Sequence, residues 1–493
     1  MLFNSLEFIV FFSIVLLLYF YIPYRFRWLF LLISSCYFYV AFIPVYILVL
    51  FLLITIDYTA GILIEKSEGE KRRIFLIISI ISTCIVLFIF KYFNFANHNL
   101  LKLAKFLHWN YPIQNLSLIL PIGLSFHAFQ SLSYVIEVSR RRQKAEHHFG
   151  IYALYVMFFP QLVAGPIERP YNLLKQFYEE HTFDYKRVTD GLKLMAWGFF
   201  KKIVIADRLT LIVNPIYNSP HDYSGPVLVL ATFFFAYQIY CDFSGYTDIA
   251  RGTAEVLDFR LMENFRAPYL ATSIQDFWRR WHISLSTWFR DYVYISLGGN
   301  RVVKWRWYYN LIVTFFLSGL WHGANWTYVV WGLLHGFYMV IGTITKGIRL
   351  RFIQLIGLAR YPKPHRVFQI IITFSLVCFG WIFFRAKNIS DAYYIATHLF
   401  TGWELIFNFA GNLRELSVKW GLYSLGITKI EYLFCFGLIA FLEWIHSLQQ
   451  KFSIRQWIAG QAPLVRWGLY YTLVISLILG GHYGQSKFIY FQF

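Results

Sequence analysis

In three stretches of this chain, side chains able to move protons sit inside otherwise apolar sequence. LSGLWHGANW sets His322 between two apolar runs, beside Trp321 and Gly323. Histidine has the unperturbed proton affinity nearest neutrality, so His322 can take a proton from a hydroxyl and return it to a leaving group. The neighbouring glycine removes bulk that would hold a substrate away. The alternative is a histidine that only hydrogen-bonds between helices, with the tryptophans as interface anchors. IQDFWRRWHISLSTWFRDYVYISLGGN, read as one helix, gathers Trp278, Trp281, His282, Leu285, Trp288, Phe289 and Tyr292 on one face at helical spacing. Arg279, Ser286 and Arg290 mark the more polar side, and Asp276 can pair with Arg280 at i+4. This pattern predicts an amphipathic helix at or just inside a membrane interface, with His282 unusually on its aromatic face. YQIYCDFSGYTDIARG adds Asp242, Ser244, Tyr246 and Asp248. Its two carboxylates project on different helix faces and do not suggest a simple acid–base pair. They could orient a histidine, hydrogen-bond a substrate or lock neighbouring helices.

The elements that must position these groups are set by composition. Of 493 residues, 58% are hydrophobic and 14% charged, the latter roughly half the share usual in a soluble domain. The mean hydropathy is +0.50. A disordered chain, a disulfide scaffold and an ordinary soluble enzyme are excluded, and a bilayer must be the solvent for most of the chain. A helix crosses the hydrocarbon in about 20 residues. Runs near that length fall at 5–23, 28–43, 44–64, 74–92, 116–138, 190–215, 226–250, 308–320, 326–345, 367–384, 430–447 and 466–481, with a shorter piece at 151–166. Breaks at Pro121, Pro160, Pro166 and after Leu320 imply backbone shielded by protein or by a water-filled cavity. The fold class expected is an all-α polytopic membrane protein of about eleven crossings with re-entrant and interfacial helices. A single domain is expected over 1–493, its core motifs within 116–386 and peripheral helices at 1–92 and 430–481.

The net charge of +19 comes from basic clusters between the apolar runs, at Arg25 and Arg27, Lys71 to Arg73, Arg140 to Lys144, and Lys346 to Arg366. That is the positive-inside pattern, meeting anionic lipid rather than nucleic acid. It places the N-terminus outside, and the first span reads as retained rather than cleaved. The five cysteines form no CxxC pair, so neither a disulfide framework nor a metal site is expected. Nucleotide-binding loops, a serine elbow and internal repeats are not seen. Glu168 and Arg169 read as a boundary ion pair. His127, His335 and His482 read as packing residues, and His147 and His148 as surface.

WRRWHISLSTWFRDYVYISLGGNR, followed by LSGLWHGANWTYVVWGLLHG with its histidine 40 residues after His282, resembles the membrane-bound O-acyltransferase family. More narrowly, it resembles the bacterial branch of the alginate O-acetylation membrane protein. MLFNSLEFIVFF, LPIGLSFHAFQSLSYVIEV, FFPQLVAGPIERP, YCDFSGYTDIARG, VCFGWIFFRAKNISDA and the closing FIYFQF extend the likeness along the whole chain. His127 departs from the family pattern, which carries an aromatic such as tyrosine there.

The resemblance implies a helical funnel converging on His322 as the catalytic histidine, with His282 lining the same passage. It implies substrate contacts from Trp321, Asn325, Tyr240, Asp242, Ser244, Tyr246, Asp248 and Arg279. No cofactor is expected to be permanently bound. Acetyl-CoA is the acyl donor implied, with Arg279, Arg280 and Arg301 attracting its phosphates. The partners implied are membrane lipid and a periplasmic or surface protein like the SGNH hydrolases, which completes delivery to a polysaccharide. The location implied is a bacterial inner membrane. Two other readings stay open. D-alanyl transfer to teichoic acid would need a carrier protein, and a transporter or flippase would need inverted repeats of broken helices.

Overall fold

A computed structural model describes residues 1–41, 44–121, 123–162, 165–404 and 425–483. The closing FIYFQF motif lies outside them. Every regular element among the described residues is a helix, as a chain in lipid requires when it must satisfy its own backbone polar groups. Seven helices among the described residues are long and apolar enough to cross a membrane: Tyr46–Lys66, Gly69–Phe106, Gly225–Val256, Trp326–Ile344, Pro362–Arg385, Lys429–Gln449 and Pro463–Gly480. Leu6–Tyr21 is apolar but only 16 residues long. The run at 116–138 becomes helical only from Leu124, after Gly123 at φ 77°, where proline and a left-handed glycine block an earlier start.

Two compact units emerge, one of Met1–Met195 with Tyr246–Glu263, the other of Ala196–Gly245 with Asn264–Phe493. In the first, buried polar groups tie helices together. Asp57, with no exposed surface, accepts 2.6 Å from the Ser79 hydroxyl and 3.5 Å from that of Thr83. Glu168 and Arg169 are both buried rather than at a boundary. The Glu168 carboxylate accepts from the Met262 backbone N–H and the Asn172 amide. His127 is buried beside the Tyr39 ring, 6.2 Å between centroids.

In the second unit, Lys304–His322 and Trp326–Ile344 form a tight helical hairpin. Glycines set its spacing. A Cβ on Gly319 would stand 2.3 Å from the Tyr328 carbonyl oxygen, and one on Gly332 would stand 2.4 Å from that of Phe315. Small residues allow such backbone approach in membranes, where tight packing replaces the hydrophobic drive between helices.

Candidate active site

The hairpin turn presents His322 as the last residue of its helix, 5% exposed. Its ring packs against Trp321, Trp331 and Phe384 at centroid distances of 4.9, 5.0 and 5.1 Å. The space beside Gly323 is filled by the Tyr328 ring, 2.3 Å from where a Cβ would stand. The missing side chain therefore serves the turn's own packing. Asn325 caps the second helix through the Thr327 N–H at 3.1 Å, and its amide donates to the Lys387 carbonyl at 3.1 Å. Asn325 thus shapes the turn.

The stretch read as one amphipathic helix is two, Ile274–Arg280 and Ile283–Phe289. His282 lies between them in the left-handed region, φ 42° and ψ 57°. A non-glycine residue held there is strained and persists only where its surroundings over-determine it. Those surroundings are the chain at 264–266. The Asn264 carbonyl accepts from Ile283 N–H at 3.0 Å, the Asn264 side chain caps Ser284 N–H at 3.1 Å, and Arg266 N–H bonds the Arg280 carbonyl at 3.0 Å. The broken helix ends are thereby satisfied.

The aromatic face survives the break, since Trp278, Trp281, Leu285, Trp288, Phe289 and Tyr292 are all buried. His282 is buried completely, between Phe243 at 4.6 Å and Trp321 at 6.1 Å. Both seven-residue helices are too short to cross a bilayer. Burial pushes the His282 imidazole down to about 3, so the ring is neutral and has one N–H to donate. The Asp276–Arg280 pair forms at 2.8 Å, while Arg279 is exposed.

The expected carboxylates separate. Asp242 and Ser244 belong to the second unit, where Lys202 Nζ reaches Asp242 and Asp207 at 2.7 Å each and Lys201 Nζ reaches Ser244 Oγ at 3.0 Å. Tyr246 and Asp248, later on the same helix, belong to the first unit. There the Tyr246 hydroxyl donates to Asn4 at 2.9 Å and Asp248 meets Arg251 at 3.6 Å. Trp321 thus brings His282 and His322 to one indole, and Phe243 joins the Tyr240 helix to that cluster. Among the described residues no group of three histidine, cysteine or acidic side chains could hold a metal ion.

The profile of the membrane-bound O-acyltransferase family matches residues 71–386. The chain belongs to that family. This O-acyltransferase is 39% identical to a "probable alginate O-acetylase" of Pseudomonas aeruginosa over 425 residues, 85% of this chain and 79% of the relative. It is 33% identical to a peptidoglycan O-acetyltransferase of Helicobacter pylori over 74% of this chain and 72% of that one. It is 28% identical to a teichoic acid D-alanyltransferase of Bacillus subtilis over 63% and 77%. The chain is accordingly a multi-pass membrane enzyme that transfers an acyl group from a donor to an oxygen acceptor.

Sequence reasoning missed four buried groups of this O-acyltransferase: Lys201, Lys202, Asp207 and His446. The signal for the first three was FFKKIVIAD, two lysines and an aspartate within an apolar run. A π-helical turn, Phe200–Ala206, accommodates both lysines inside, and such turns recur at functional sites. His446 had no local signal, because its partner Tyr240 is 206 residues away.

Proposed function

We propose that this enzyme takes an acetyl group from acetyl-CoA on the cytoplasmic side and delivers it for O-acetylation of a cell-surface or exported polysaccharide such as alginate. The observation that carries the reading is Trp321, whose indole packs against both His282 and His322. The relatives' names support the acyl and acceptor classes. His322 removes the proton as the acceptor oxygen attacks the thioester carbonyl, then returns it to the departing thiolate, yielding an ester and a thiol. General base catalysis of this kind is worth roughly 10²–10⁴-fold. Neutral His282 donates its N–H to the carbonyl oxygen as charge develops there. Tyr240 and Trp321 line the passage, Asp242 and Ser244 hold Lys202 and Lys201 in place, and Asn325 shapes the turn. Contacts to substrate from Tyr246, Asp248 and Arg279 rest on the resemblance. Arg279, Arg280 and Arg301 attract donor phosphates weakly and in a salt-sensitive way.

In this reading the whole chain works as one domain of a bacterial inner membrane, N-terminus outside, with an SGNH-hydrolase-like partner completing delivery. The D-alanyltransferase relative favours a second reading, D-alanyl transfer from a carrier protein. Base-labile acetate released from purified envelope polysaccharide, compared between wild type and His322→Ala at matched protein levels, tests the first. Loss of acetate is expected. Unchanged acetate with lost D-alanine esters on the same samples selects the second, and no change in either ester overturns both.

A further inference from the structure

A cavity of about 200 Å³ lies in the first unit beside the turn that joins Leu6–Tyr21 to Tyr24–Val40. None of its lining residues serves the reaction described above. Pockets for drug-sized ligands run to about 300–1,000 Å³, so this one encloses a group of headgroup size. Arg25, Arg27, Trp28, His148 and Glu179 are among its walls. Arg27 is fixed by backbone carbonyls. Its Nε and Nη2 donate to those of Ile22 and Phe20 at 2.9 and 3.4 Å, and Nη1 donates to that of His181. Arg25 is held differently, with its guanidinium 4.6 Å over the Phe26 ring and no hydrogen bond or ion pair among the described residues. Glu179 lines the same cavity and closes on neither arginine. Opposite charges that share a cavity without pairing leave a slot for a ligand that carries both signs. His148 adds a donor. Its Nδ1 accepts the Ile151 N–H at 3.1 Å, so the neutral ring carries its proton on Nε2. Trp28 is a rigid wall, packed on His148 at 4.6 Å and against Gly150, where a Cβ would stand 2.2 Å from the indole.

The cavity sits where two apolar helices end, and Tyr21, Tyr24, Phe26 and Tyr178 are exposed around that level. Arginines among exposed aromatics mark the boundary between hydrocarbon and water. From there Phe26, Leu29, Ile33 and Tyr37, spaced i, i+3, i+7 and i+11, expose an apolar stripe along Tyr24–Val40. We propose that the cavity binds the headgroup of a zwitterionic aminophospholipid, with its phosphate on Arg25 and the His148 Nε2–H, its ammonium on Glu179 and its acyl chains along the stripe. Basic pockets at helix ends take lipid headgroups in this way. The proposal needs only that the chain resides in a membrane, and it holds for either acyl donor.

Full-length protein in detergent, titrated with short-chain lipids and read by native mass spectrometry, tests it. Dihexanoyl phosphatidylethanolamine should bind roughly tenfold more tightly than dihexanoyl phosphatidylglycerol, which lacks the ammonium. Glu179→Gln should abolish that preference. Arg25→Gln should weaken both lipids roughly tenfold, and Arg25→Lys should recover most of the loss. Both positions are exposed, so melting curves without lipid should match wild type. Equal binding of the two lipids by wild type, a preference that survives Glu179→Gln, or lipid binding unmoved by Arg25→Gln overturns the proposal. Glycerophosphoethanolamine, the same headgroup without chains, should bind far more weakly than the lipid. Equal affinity would assign the cavity to a soluble phosphate compound and sink the lipid reading.

Discussion

Asp57 in the first unit and His322 in the second are both buried ionisable groups, yet their surroundings differ in kind. Hydroxyls from Ser79 and Thr83 point at the Asp57 carboxylate. Three aromatic rings wall the His322 imidazole. A carboxylate wrapped in donors is held in place and does nothing else, so it locks helices. Rings shape a pocket around an imidazole without competing for its nitrogens as strongly as hydroxyls would. In the function proposed above, the contrast separates polar groups that stabilise the membrane fold from those kept for chemistry.

The comparison breaks first at His322. His322→Ala should cut ester formation by roughly 10²–10⁴-fold while the protein inserts and melts near wild type. Ester release and a fluorescence-detected melting curve, taken on the same preparation, check this. An intact ester level would put His322 with Asp57 among the locks.

Next in size is Lys202, which the structure places with the locks. It sits between Asp207 and Asp242, and removing one member of a buried ion cluster strands the others, a cost of about 3–5 kcal/mol. Lys202→Met should therefore lower the yield of folded protein, and any remaining activity should fall only in proportion. Normal yield with lost turnover would move Lys202 across to the chemical side.

Asp57→Ala should destabilise by about 1–3 kcal/mol, because the Ser79 and Thr83 hydroxyls lose their acceptor, with specific activity per folded molecule unchanged. Titrated unfolding beside an ester assay resolves the two. The smallest effect belongs to the half-exposed Asp276–Arg280 pair. Asp276→Asn should change stability by about 0.2–1 kcal/mol and leave ester formation alone, a result that would calibrate how little a boundary ion pair contributes here.

Much of this was local and therefore legible in the sequence. Apolar runs announce helices because a bilayer lets no backbone polar group go unpaired, and the runs at 44–64, 226–250 and 326–345 appear as Tyr46–Lys66, Gly225–Val256 and Trp326–Ile344. The turn after His322 and the buried aromatic face from Trp278 to Tyr292 follow from residue spacing alone.

What depends on pairing across long separations in the chain could only be settled by the tertiary structure. The break at His282 exists because Asn264 and Arg266 run alongside it and supply its hydrogen bonds. Without them helical periodicity predicts one continuous helix. The division of Asp242 from Asp248 depends on Lys202 and Arg251, which belong to different units. Tyr240 meets its partner in a histidine 206 residues later, and the space beside Gly323 is taken by Tyr328. Periodicity fixes which face of a helix is apolar, because it depends on neighbours three and four residues away. Which charged, ring or hydroxyl group meets that face depends on how distant segments pack.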